Sequence, residues 1–161
     1  MYMAQDNMTM AKARQVFDIL CSALEKHDWK FKADAEKLEV RTGARGEDLP
    51  MELVLQVDTK LERVLLISPL LFEVKDDKRL DMAIAISACN HGMVQGCFDY
   101  DISDGSMFFR MSNCYADSYI GEELFYHMLM VACITVDRYN DKLMMLGKGL
   151  MSIEQFLQDV M

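Results

Sequence analysis

The sequence predicts an α+β fold: a mostly antiparallel five-stranded sheet in the order α-β-β-β-α-β-β-α, followed by a short C-terminal helix. Three observations carry this. Apolar residues recur at three- and four-residue steps near the start, in the middle and towards the end of the chain. In the stretches between, apolar and polar residues alternate. Those stretches are joined by connections of hairpin length, so neighbouring strands run antiparallel and the helices pack on a face.

Residues 9 to 27 read as an amphipathic helix, with Met10, Ala13, Val16, Phe17, Leu20 and Leu24 on one side and Thr9 as the N-cap. The stripe ends near His27 and Asp28, where Trp29 and Phe31 begin a two-residue alternation. Leu38, Val40, Thr42 and Ala44 alternate with Glu39, Arg41 and Gly43, and Gly46-Glu47-Asp48 turns the chain. Met51, Leu53, Leu55 and Val57 then alternate with Glu52, Gln56 and Asp58, giving one dry and one wet face. After Asp58-Thr59-Lys60, the run Val64 to Val74 is apolar on both faces, so this strand is central or covered twice. Pro69 has no N–H to donate, so the strand bulges or ends there.

Lys78 to His91 returns to helical period, with Asp76 or Asp77 as cap, Leu80, Ala83, Ile84 and Ser87 as its stripe, and Gly92 closing it. A hairpin follows. Val94, Gly96, Phe98 and Tyr100 face one way, Met107, Phe109 and Met111 line the returning strand, and Asp104-Gly105 supplies the turn.

Between Leu124 and Val136, eleven residues of thirteen are apolar, interrupted only by His127 and Thr135. In the helix predicted from Gly121 to Leu146, Phe125, Met128, Leu129, Ala132, Val136, Tyr139, Leu143 and Leu146 form the stripe facing the sheet. Opposite lie Tyr126, Met130, Cys133 and Ile134, continuing into Asp137 and Asp141, so the first half of the helix needs cover on two sides. Gly147 and Gly149 break it. Ser152 with Gln155 then forms a capping box for a last helix bearing Ile153, Phe156, Leu157 and Val160. The short connection predicts that these two helices pair antiparallel. The last one reaches back only about 15 Å, to around Asp137, which leaves Tyr126, Met130 and Ile134 for something else to cover.

Residues 1–161 read as one domain, long enough to bury about 70% of its unfolded surface without a metal or disulfide staple. A net charge of −9 argues against nucleic acid and against an anionic membrane surface, and leaves solubility or a basic protein partner as its meaning. The five cysteines are odd in number, widely spaced and set in apolar segments, which points to a reducing compartment. Met1 to Gln15 carries no apolar leader and no run of eighteen apolar residues exists, so the predicted location is the cytoplasm. Methionine is abundant, at 15 of 161 residues, and it fills core gaps or builds surfaces that accept several partners.

Motifs for chemistry are sparse. Asp99-Tyr100-Asp101-Ile102-Ser103-Asp104-Gly105 resembles a calcium loop, but glycine arrives one place late and the position of the bidentate glutamate holds Arg110. It reads as a hairpin turn. His27, His91 and His127 have no metal spacing, and His27 and His91 suit helix C-termini. Cys89 and His91 are two residues apart and do not face each other on a helix. There is no GxSxG, Walker loop or GxGxxG. Tyr115 and Tyr119 flank Asp117 before the long helix, either stapling its start or lining a pocket.

The strand stretch from Leu38 through Leu71, the segment Asp76 to Ser112 and the helix after it carry a resemblance. Within them Asn90, Gly96-Cys97-Phe98-Asp99, Asp104-Gly105 and Arg110 are the most telling residues. Over about residues 10 to 146 the chain resembles the YbjN family of bacterial sensory-transduction regulators, whose fold is similar to that of type III secretion chaperones. The resemblance implies no enzymatic activity, no cofactor, no catalytic residues and a tendency to form homodimers.

The function expected is therefore a non-catalytic protein-binding adaptor or chaperone-like regulator, homodimeric, docking an unidentified protein through Tyr126, Met130, Cys133 and Ile134. Two alternatives stand beside it. One is a small enzyme or metal-dependent regulator using Asp99, Asp101 and Asp104; the other is a small-ligand sensor with a pocket at Phe98, Phe109 and Tyr119. No catalytic, cofactor or metal residue is assigned.

Overall fold

The computed structural model describes residues 2–161, with side chains from residue 9 onward. Its elements in chain order are α1 (Tyr2–Lys26), β1 (Phe31–Asp34), β2 (Glu39–Arg45), β3 (Pro50–Asp58), β4 (Arg63–Pro69), α2 (Arg79–Asn90, preceded by a short 3-10 turn), β5 (Cys97–Tyr100), β6 (Met107–Cys114), α3 (Glu122–Gly147) and α4 (Ile153–Val160). The fold is α+β, as expected, but the sheet has six strands, not five, in the order β1-β2-β3-β4-β6-β5. Every pairing is antiparallel. The additional strand is β1, a four-residue edge element paired with β2 from Phe31↔Thr42 to Asp34↔Glu39.

The period-2 patterns set which side of the sheet is dry. Met51, Leu53, Leu55 and Val57 of β3, Val64 and Leu66 of β4, and Met107, Phe109 and Met111 of β6 are buried beneath the helices. The predicted inner stripe of α3 is buried from Phe125 to Leu146, with Asn140 embedded in it. Asn90 fastens α2 to the sheet through both halves of its amide: it donates to the Phe98 carbonyl (2.9 Å) and accepts from the Phe98 N–H (2.8 Å). Gly96, at φ +75°, admits the Phe109 ring where a Cβ would stand 2.3 Å from it.

Several details differ from expectation. Helix α1 begins at Tyr2, so Thr9 lies inside it and is no N-cap. On α2 the buried residues are Met82, Ala85, Ile86 and Cys89, while Leu80 and Ile84 of the predicted stripe point outward. Slim Ala85 and Cys89 face inward because they let the helix sit close to its neighbours. Val94 lies in the loop before β5 and is 96% exposed. Strand β4 is central and stops at Pro69, yet only one of its faces is covered: Leu65 and Ile67 on the far side remain half-buried beside Val54 and Phe108. Helix α4 packs chiefly on α2 and only lightly on α3. The chain leaves α3 through Gly149, at φ +70°, with Gly149 N–H bonded to the Leu146 carbonyl and Leu150 N–H to that of Met145, and this turn swings α4 sideways. The Ser152–Gln155 capping box is present in both directions.

Candidate functional site

The outward side of α3 is built from its first turn. Gly121 offers no side-chain cap, and Glu122 and Glu123 place negative charge at the positive end of the helix. Both carboxylates meet Lys26 at 3.1 Å, and Ser22 Oγ donates to Glu122 at 2.8 Å. These bonds, from Ser22 and then Lys26, hold the Glu122 carboxyl below its usual range. The end of α1 is thereby pinned beside the start of α3.

One turn further on, the imidazole of His27 stacks on Tyr126, with centroids 3.8 Å apart and planes within 9°. One face of Tyr126 is therefore taken up inside the chain. Met130 and Cys133 are half-buried, and burial, followed by the nearby Asp137 charge, pushes the Cys133 thiol up to about 11. Ile134 is 64% exposed. It forms one lip of a groove of about 560 Å³ between α3, the loop after α2 and the end of α4, lined among others by Met93, Val94, Val131, Arg138 and Val160. The loop is braced on α3 by a 2.8 Å hydrogen bond between His127 Nε2 and Gln95 Oε1. The four residues Tyr126, Met130, Cys133 and Ile134 thus share one helix side, exposed at Ile134 and half-buried at the other three.

In the second half of α3 the chain meets the outward side at Asp137. Asp137 accepts a hydrogen bond from the Glu47 N–H at 3.0 Å, clasping the β2–β3 turn. Gly46 makes this possible, since a Cβ there would lie 2.0 Å from the Asp137 carboxylate.

The other predicted sites are dispersed. Phe98 and Phe109 are core residues packed edge to face at 5.4 Å, whereas Tyr119 is 83% exposed beside α1, so the three do not line one cavity. Tyr115 is the buried staple: its hydroxyl donates to the Asp58 carbonyl at 3.1 Å, and burial raises its pKa to about 12. Asp99 pairs with Arg110 at 2.8 Å, Asp101 accepts from the Ser103 N–H, and Asp104 accepts from the Ser106 N–H. Their carboxylates close the hairpin turn, and among the described residues no group of three His, Cys, Asp or Glu side chains converges on a metal position. Burial pushes the Cys89 thiol up to about 12, the reverse of what a nucleophile requires.

Two surfaces escaped the sequence reading. One is the uncovered sheet face at Val54, Leu65, Ile67 and Phe108; β4's two-sided apolar run is its signal. The other is the outward pair Leu80 and Ile84 on α2, four residues apart. Among the described residues no helix is long and apolar enough to cross a membrane.

A solved structure shares the architecture. The chain matches the crystal structure of YbjN from E. coli with a TM-score of 0.56, covering 83% of this chain and 92% of that chain at 11% identity. It also matches a chain of the HopA1–SchA chaperone–effector complex (TM-score 0.48, 15% identity, 75% of this chain and 88% of that one). A chain of the ExsC–ExsE complex is similar at the same TM-score of 0.48, with 14% identity over 81% of this chain and 93% of that one. No family model and no curated protein matches the chain. The fold is YbjN-like.

Proposed function

We propose that this chain is a non-catalytic, cytoplasmic protein-binding module, a single domain that forms a homodimer and holds a protein partner through the outward side of α3. The observation that carries the reading is the open lip of the α3 groove, where Ile134 and Val94 stand 64% and 96% exposed across an otherwise built depression. Large apolar side chains gathered at a concave surface lose water favourably on docking, at about 25 cal/mol per Å² of apolar area removed from solvent. Met130 supplies an adaptable thioether beside them, suited to shapes that are not fixed in advance. Acidic groups surround the chain at a net charge of −9, so a basic partner segment is favoured over an acidic one.

Light scattering tests the dimer. Met130→Glu places a charge on the half-buried side of α3 and is expected to yield a monomer with an unchanged circular dichroism spectrum. A wild-type monomer, or a variant with the wild-type mass, overturns the assignment.

A further inference from the structure

The groove at Ile134 differs in charge from the rest of the molecule. The chain carries −9, yet no aspartate or glutamate is among the described residues that line the groove. Its one permanent charge is the guanidinium of Arg138, which is exposed. Arg41, Arg63, Arg79 and Arg110 are each paired with a carboxylate, whereas Arg138 makes no ion pair among the described residues. It lies over the ring of Tyr139, also a groove residue, at 5.3 Å from the centroid, a contact that steadies the fork without neutralising it. Its charge is felt at the inner wall: burial raises the Cys89 thiol, and Arg138 opposes that rise.

The apolar lip and the cation have a fixed spacing. Ile134 and Arg138 are four residues apart on α3, so they are neighbours on one helix side, about 5–6 Å from Cβ to Cβ. A segment lying along this line meets an apolar contact first and a positive charge one helical turn further on. In an extended peptide, side chains two residues apart share a side and stand about 6–7 Å from each other, which matches that spacing. A carboxylate at the second position would form charge-assisted hydrogen bonds with Arg138, a neutral amide would gain less, and an amine would meet like charge.

We infer that the α3 groove takes a partner segment that seats an apolar side chain between Ile134 and Val94 and, about 6 Å away, an Asp or Glu carboxylate on Arg138. The inference rests on the docking role assigned to this groove and refines it: the overall charge favours a basic partner around the rim, while the groove itself selects a carboxylate. Three capped pentapeptides test it: Ac-Ser-Leu-Ser-Glu-Ser-NH2 and the versions with Gln or Lys in place of Glu. Methyl spectra of the full chain supply the readout, because Met93, Val94, Val131 and Ile134 border the groove while the remaining methyls act as internal controls. Saturable shifts at those residues are expected, with the Glu peptide about three- to fivefold tighter than the Gln peptide, as one solvent-screened ion pair provides, and the Lys peptide weakest. Arg138→Gln, a change at an exposed position, is expected to level the Glu and Gln peptides without abolishing the shifts. Groove shifts of equal strength for all three peptides, or a preference for Lys, overturn the carboxylate selection and leave the docking role standing. A Glu preference that survives in Arg138→Gln overturns it too. Shifts absent from the groove with every peptide remove the docking role and this inference together.

Discussion

In the first half of α3 the side turned from the sheet carries Tyr126, Met130 and Ile134; in the second half the matching turns carry Asp137 and Asp141. Both halves bury the same inner stripe, so their difference is confined to what meets the outer side. Asp137 takes the Glu47 N–H and draws the β2–β3 turn onto the helix. Met130 and Ile134 have nothing with which to hold a polar turn, and Ile134 stays open. The first half is held by the chain at Tyr126 and His127 and opens at Ile134, whereas Asp137 closes the second half onto the β2–β3 turn.

Substitutions that separate inner from outer sides give the largest effect. Leu129→Ala removes a buried side chain from the inner stripe and is expected to lower stability by about 2–5 kcal/mol in urea unfolding. Ile134→Ala on the outer side should stay within about 0.5 kcal/mol. Equal losses at the two positions would mean that the outer side is packed as tightly as the inner.

The clasp on the second half comes next. Gly46→Ala drives a Cβ into the Asp137 carboxylate and also to 2.8 Å from the Leu49 carbonyl. A loss of about 1–3 kcal/mol is expected. Asp137→Ala alone should lose about 1 kcal/mol. Combined, the two should cost less than their sum, because removing the carboxylate relieves one of the two clashes. Strict additivity in the double-mutant cycle would show that the turn does not rest on Asp137.

Thiol labelling contrasts the two sides without mutation. At mildly alkaline pH, exposed Cys114 is expected to react first, ahead of Cys133 and Cys21, both pushed up to about 11 by burial, with Cys89, at about 12, slowest. Early modification of Cys133 would mean that the outward side of α3 is open at Cys133 as well as at Ile134.

The smallest effect concerns the first turn of α3. The Glu122 carboxyl is held low in the folded chain, so its contribution is present above the unfolded-state pKa and lost as pH falls through the folded one. Lys26 is shifted up, chiefly by its bonds to Glu122 and Glu123, and its contribution disappears instead as pH rises through its folded value. Urea midpoints of the wild type and Glu122→Gln should therefore differ modestly near neutrality and converge in acid, as suits a solvent-screened pair. A gap that widens in acid would contradict the sign.

Long periodic segments made most of this architecture readable before any coordinates. The inner stripe of α3, Phe125 to Leu146, spans about six turns, so an error in phase would have been visible; α2 has only 12 residues, and Leu80 and Ile84 could pass for its inner face. Strand β1 hid because four residues with Phe31 half-buried barely register as an alternation. Connection length told how far α4 could travel but not its direction, which Gly149 sets through a single backbone angle. The patch at Tyr126, Met130, Cys133 and Ile134 was legible as surplus apolar circumference. Asn140 was less so, since a polar residue within an apolar stripe is marked only by its burial in the fold.

The sheet ends on both rims in strands of only four residues, β1 and β5. Ladders that brief give an incoming chain little to extend, and β1 adds Lys32 and Asp34 to discourage it. Concentrating the protein is therefore expected to produce assemblies of definite stoichiometry and not cross-β fibrils, because self-association through helix surfaces saturates where rim-to-rim growth does not.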